Sequence, residues 1–136
     1  MGSVPQGVFV AIDHPLAQLG IAKRKDLVKY RQLVMHAEDV HEAIYSPRIW
    51  RSDSFYSIAE MVADDLGWAI LPVNVGTDDA YDKPLQQVPC PSLALPGLSV
   101  RIVWRQGWQP TETVRWIQAR YEELLAQLSG STPDQW

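Results

Sequence analysis

Between Arg48 and Pro72 the hydrophobic period changes twice, and no other stretch of the chain restricts the fold as much. Arg48 to Arg51 reads as a brief strand. Asp53 or Ser54 then stands where a side-chain oxygen caps the exposed amides of a helical first turn. Phe55, Ile58, Ala59, Val62 and Leu66 follow at the spacing of one helical face. Ser57 with Glu60 also fits a capping box, but a helix starting there strands Phe55 outside the pattern. Gly67 occupies the place where a left-handed residue closes a helix, and Trp68 to Leu71 is an unbroken apolar run stopped by Pro72. Strand, helix, glycine and strand in this order form a βαβ unit, so an α/β sheet is expected.

The remaining segments extend that sheet. Gly7 to Ile12 is apolar and ends at Asp13, His14 and Pro15, a strand stopped by a turn. Lys25 to Tyr30 has room for one or two helical turns, and Gln32 to His36 is a second short strand. Strands without polar alternation suggest a parallel sheet covered on both faces. Ala37 to Pro47 is a polar loop, and Leu85 to Val88 is a short edge strand. Pro89, Pro91 and Pro96 mark the best candidate for a linker or hinge. Leu98 to Trp104 alternates as a half-buried strand. Pro110 and Thr111 open a last helix, in which Val114, Ile117, Tyr121, Leu124, Leu125 and Leu128 form one stripe and which Gly130 ends. Trp68, Trp104 and Trp116 are assigned to the core, while Trp50 and Trp108 border loops and are expected to be partly exposed.

Composition narrows the function. With 136 residues, 46% of them hydrophobic and 21% charged, the chain fits one ordinary globular domain. Twelve basic residues against 16 acidic ones give a net charge of −4, which argues against tracking nucleic-acid phosphates. The run Lys23 to Lys25 reads as a solvated turn. Cys90 is the only cysteine, so neither an intrachain disulfide nor a thiolate metal cluster is available. No apolar run approaches the ~20 residues that a bilayer requires. The N-terminus lacks the features of a secretory signal, and a cytoplasmic location is expected. His36 and His41 lie in an acidic loop without metal-ligand spacing, so no metal is expected. No nucleophile elbow and no glycine-rich phosphate loop occurs, and Asp64 and Asp65 diverge by about 100° on a helix. An enzyme is therefore not expected, nor any cofactor.

Several segments together resemble the LysR-type transcriptional regulators. They are His14 to Ala17, Asp26 to Tyr30 followed by Leu33 to Met35, Ser52 to Val62 followed by Leu66 to Pro72, and Val100 to Trp104 with the last helix. The similar part of that family is the C-terminal portion of the effector-binding domain, whose fold is like a type 2 periplasmic binding protein. The resemblance implies an α/β fold with a parallel-rich sheet flanked by helices. Residues 4–96 would form the second subdomain, and residues 97–130 a returning strand and C-terminal helix of the first. It also implies a small-molecule effector bound at the carboxyl ends of strands and at a helix N-terminus. In this chain those places are His36, Ala37 and Glu38, and Ser52, Asp53 and Ser54. Capping alone also accounts for Asp53 and Ser54. The family's winged helix-turn-helix has no counterpart here, so direct DNA binding by this chain is not expected. Part of the first subdomain lacks a counterpart too, which leaves the last helix an apolar face suited to a homodimer. An oligomerisation module and a solute-binding lobe of a transport protein are the alternatives.

Overall fold

The computed structural model describes residues 2–37, 42–79, 81–101 and 103–130, with side chains described through residue 127 in the last helix. In chain order the elements are β1 (Gly2–Val4), β2 (Gln6–Ala11), a 3-10 turn (Pro15–Gln18), α1 (Arg24–Leu27), β3 (Gln32–Met35), β4 (Ile49–Ser52), α2 (Phe55–Ala63), β5 (Trp68–Pro72), α3 (Val73–Gly76), β6 (Leu85–Val88), β7 (Leu98–Val100) and α4 (Glu112–Gly130). They fall into two compact units: Gln6–Leu95, and Met1–Pro5 with Pro96–Trp136.

The larger unit is built on a five-stranded sheet of order β4-β3-β5-β2-β6. β3 runs parallel to β4 and β5, whereas β2 is antiparallel to both β5 and β6. The sheet is thus mixed, with its parallel part confined to β4, β3 and β5. β2 reads apolar because both of its faces are covered, and that condition does not depend on strand direction. Val8 and Val10 pack with Leu16, Leu27, Trp68 and Val88 on one face. Phe9 packs with Leu33, Ile58, Val62 and Leu71 on the other, under α2 and α3.

α2 starts where its sequence indicates and ends one turn earlier than expected. The Ser54 hydroxyl accepts the Ser57 N–H, and Ile58, Ala59 and Val62 are buried. The residue in the left-handed conformation is Asp65, with φ of 61°, not Gly67. The Asp65 N–H donates to the Val62 carbonyl and the Leu66 N–H to the Met61 carbonyl, the bond pattern of a helix closed by a left-handed residue. Leu66 consequently leaves the helical face and is exposed. Gly67 has a different reason to be glycine. A Cβ there would lie 2.5 Å from the Arg31 carbonyl oxygen, which accepts the Trp68 N–H where β5 begins beside β3.

The connection from β3 to its parallel neighbour β4 is residues 36–48, and Gln32 fastens part of it. Gln32 is buried; its amide Nε2 donates to the Ala43 carbonyl at 2.7 Å, and its Oε1 accepts the Tyr45 and Ser46 N–H groups. The proline-rich segment is anchored over much of its length. The Pro89 carbonyl accepts the Ala22 N–H, Leu93 is buried, and the unit boundary falls at Pro96.

In the smaller unit β1 and β7 form a three-residue antiparallel pair, in register Gly2 with Val100 and Val4 with Leu98. β1 was not anticipated from sequence. β7 spans Leu98–Val100, each residue paired with one of β1; Ile102, expected in the same strand, lies outside the described residues. The Thr111 hydroxyl caps α4 by accepting the Val114 N–H, and Leu125 packs on β1 at Gly2. Trp104 and Trp116, expected in the core, are exposed instead, at 43% and 69%. A three-residue strand pair is too small to cover both. Among the described residues no helix is long and apolar enough to cross a membrane.

Candidate functional site

Parallel pairing sets the carboxyl ends of β3 and β4 side by side. Met35 is in register with Ser52, and the His36 N–H donates to the Ser52 carbonyl at 2.8 Å. That bond brings His36 and Ala37 next to Ser52, Asp53 and Ser54. Glu38, named with them from sequence, lies outside the described residues. The turn into α2 is fixed locally: the Ser54 N–H donates to the Ser52 hydroxyl, and the Ser54 hydroxyl accepts the Ser57 N–H, both at 3.3 Å. Among the described residues the N–H groups of Phe55 and Tyr56 have no acceptor, as expected for the first turn of a helix. The Asp53 side chain is exposed.

Two residues not singled out from sequence complete this end of the sheet. Glu42 takes the His36 Nδ1–H at 2.7 Å on one carboxylate oxygen and the Arg51 Nε–H at 3.0 Å on the other. The bond from His36, then that from Arg51, holds the Glu42 carboxyl below its ordinary pKa. Arg51 lies on β4 and Glu42 within the connection that returns to β4, so only the fold reveals their meeting. Spacing in the chain gives no sign of it, since ion pairs are recognised by regular offsets only along a helix. The result is an exposed shelf with guanidinium and amide donors and one exposed carboxylate, Asp53. It is suited to hydrogen-bonding a polar ligand. Among the described residues no group of three or more His, Cys, Asp or Glu side chains is placed to hold a metal ion.

Solved structures similar to this chain include regulatory domains of transcriptional regulators. The effector domain of the transcriptional regulator AmpR of Pseudomonas aeruginosa superposes with a TM-score of 0.62 at 16% identity, covering 94% of this chain and 65% of that one. The regulatory domain of CcmR of Synechocystis, in complex with 2-PG, gives 0.63 at 14% identity, covering 96% and 65%. In sequence, the HTH-type transcriptional regulator AceR of Acinetobacter baumannii is 32% identical over 62 residues, 43% of this chain and 21% of that protein. The chain therefore spans about a fifth of that regulator. The LysR substrate binding domain model matches residues 1–126. With nearly the whole sequence matched, and with the mixed sheet flanked by helices that its structural neighbours share, the chain belongs to the LysR substrate binding domain family.

Proposed function

We propose that this chain is the effector-sensing part of a LysR-type transcriptional regulator, and that a polar or anionic small molecule rests on the carboxyl ends of β3 and β4. The observation that carries it is the His36 to Ser52 backbone bond, which gathers His36 and Ala37 with Ser52, Asp53 and Ser54 at the N-terminus of α2. Free N–H groups and the positive end of the helix dipole favour an anion or a polar acceptor there, while the Arg51 guanidinium is already paired with Glu42 and offers only its remaining N–H donors. The complex of CcmR with 2-PG supports ligand binding in a domain of this fold. In this view Gln6–Leu95 is the second effector subdomain, and β7 and α4 belong to the first. The regulator works in the cytoplasm, its DNA contacts made by a winged helix-turn-helix and not by these residues.

A thermal-shift screen of the chain against small carboxylates and aromatic acids tests this. A true effector at 100 times its Kd adds about 2.7 kcal/mol to stability, and Ser54→Ala with Arg51→Gln should abolish the shift. No stabilisation by any ligand would leave an oligomerisation module as the better explanation.

A second observation favours self-association. Trp116, Ile117, Tyr121 and Leu124 leave an exposed apolar stripe on α4, and we propose that a second copy covers it. Light scattering after size exclusion should give a dimer mass; a monomer at high concentration would sink this idea.

A further inference from the structure

A second site is suggested at the opposite end of the same sheet. A cavity of about 310 Å³ is lined by His14, Tyr30, Arg31, Arg48, Asp65 and Gly67, among others, all within the unit Gln6–Leu95. Arg31, Arg48 and Gly67 immediately precede β3, β4 and β5, so this cavity and the shelf at His36 and Ser52 lie at opposite ends of the parallel strands. Its volume suits a small ligand.

The chemistry of its lining is uneven. The Arg31 guanidinium stacks on the Trp50 ring, 3.8 Å from its centroid, and one N–H donates to the Leu66 carbonyl. Arg48 donates to the Lys29 carbonyl at 2.8 Å. Both guanidiniums are thus held in place by neutral groups, and among the described residues neither has a carboxylate within ion-pair distance. His14 is buried edge-on against Tyr30, and its Nδ1 accepts the Leu16 N–H. The proton of the neutral ring is therefore on Nε2, a further donor. Against these donors the lining offers one exposed carboxylate, Asp65. Two guanidiniums without a carboxylate partner, Arg31 half-buried and Arg48 exposed, are placed to receive an anion. Asp65 favours an anion that also carries a hydrogen-bond donor.

We propose that this cavity binds a small organic acid bearing a hydroxyl or amino group, its carboxylate on Arg31 and Arg48 and its donor toward Asp65. The site is independent of the effector shelf. The test is an amide-resolved NMR titration of the chain with L-malate, and with succinate as the analogue lacking the hydroxyl. Malate should shift the amides of Arg31, Arg48, Leu66 and Gly67. Arg48→Gln should weaken it about ten-fold or more, and Arg48→Lys should weaken it less, keeping the charge without the planar fork. Asp65→Asn should shrink the preference for malate over succinate. Shifts confined to His36 and Ser52 to Ser54 would overturn this site while supporting the effector shelf. Equal shifts from sodium chloride at matched ionic strength, or none with either acid, would overturn it without touching the shelf.

Discussion

The two compact units treat their hydrophobic residues in opposite ways. In Gln6–Leu95 a single strand, β2, buries Val8 and Val10 on one side and Phe9 on the other, and each side meets its own set of partners. In the unit that contains α4, Val4 and Leu125 are buried, while Val103, Trp104, Trp108, Trp116 and Tyr121 are exposed. Apolar residues are plentiful in both, 45 of 90 in the larger unit and 18 of 46 in the smaller. What differs is the number of strands available to cover a helix: five in one unit and two in the other. A helix is stabilised chiefly by burying its apolar face, so the larger unit carries the means of its own stability.

Paired substitutions test that contrast. Trp68 is fully buried, and its indole N–H donates to the Leu27 carbonyl at 3.0 Å. Trp68→Ala should cost about 3–5 kcal/mol in urea-induced unfolding, through the cavity and the orphaned carbonyl. Trp116→Ala should stay within about 0.5 kcal/mol when unfolding is followed at low protein concentration. Its effect should appear instead as weaker self-association. Comparable losses from both would break the contrast, because Trp116 would then have to be buried in the folded chain.

Gln32→Leu comes next, at about 2–3 kcal/mol. Leucine fills much of the same space, but the Ala43 carbonyl and the Tyr45 and Ser46 N–H groups lose their partner. The loss should be larger than for Gln32→Glu only if the buried carboxyl is protonated, so comparing the two by urea denaturation at pH 5 and pH 8 sharpens the result.

How much of this could be read beforehand follows from the range of the interactions. α2 was legible because a cap, a face and a stop lie within a few residues of one another; Ser54 and the buried Ile58, Ala59 and Val62 stand where the pattern puts them. Its terminus was misplaced because glycine is the usual left-handed residue, yet here Asp65 takes that conformation while Gly67 makes room for the Arg31 carbonyl. The antiparallel direction of β2 was not legible, since burial on both faces leaves no trace of direction. At the shelf, His36 and Ser52 could be named from strand ends. Glu42 and Arg51 could not, because their ion pair depends on how the connection after β3 returns to β4. The cavity at the other end gathers residues from as far apart as His14 and Gly67, and no periodicity connects them.

The glycine and aspartate that end this helix should respond in opposite directions. Gly67→Ala forces a methyl against a backbone oxygen that cannot move without disturbing β3, and should destabilise by about 1–3 kcal/mol. Asp65→Gly relieves a left-handed non-glycine residue and removes a negative charge from a helix C-terminus. It should stabilise by about 1 kcal/mol. Thermal unfolding of the two variants settles both signs. If Asp65→Gly is destabilising, then the Asp65 carboxylate makes a contribution larger than the strain it tolerates.

The smallest effect is a pH response that should arise in one unit alone. All three histidines lie in Gln6–Leu95, and between about pH 5 and 6.5 histidine is the side chain expected to titrate. Burial pushes the His14 pKa below its ordinary 6.5, and the Asp65 charge opposes that push without reversing it. The unfolded chain therefore binds the proton more readily than the folded one. Stability from His14 is complete above about pH 6.5 and declines as the pH falls through the lowered folded value. Protonation also ends the acceptance of the Leu16 N–H by Nδ1, which opens the turn at Pro15–Gln18. Denaturant unfolding should show a slope in this window for the native chain, and His14→Asn should flatten it. Asp65→Asn should keep the upper edge of the slope and extend it to lower pH, since a charge that favours protonation of His14 has gone. A slope that survives His14→Asn unchanged would assign the response to another histidine and remove the turn from the account.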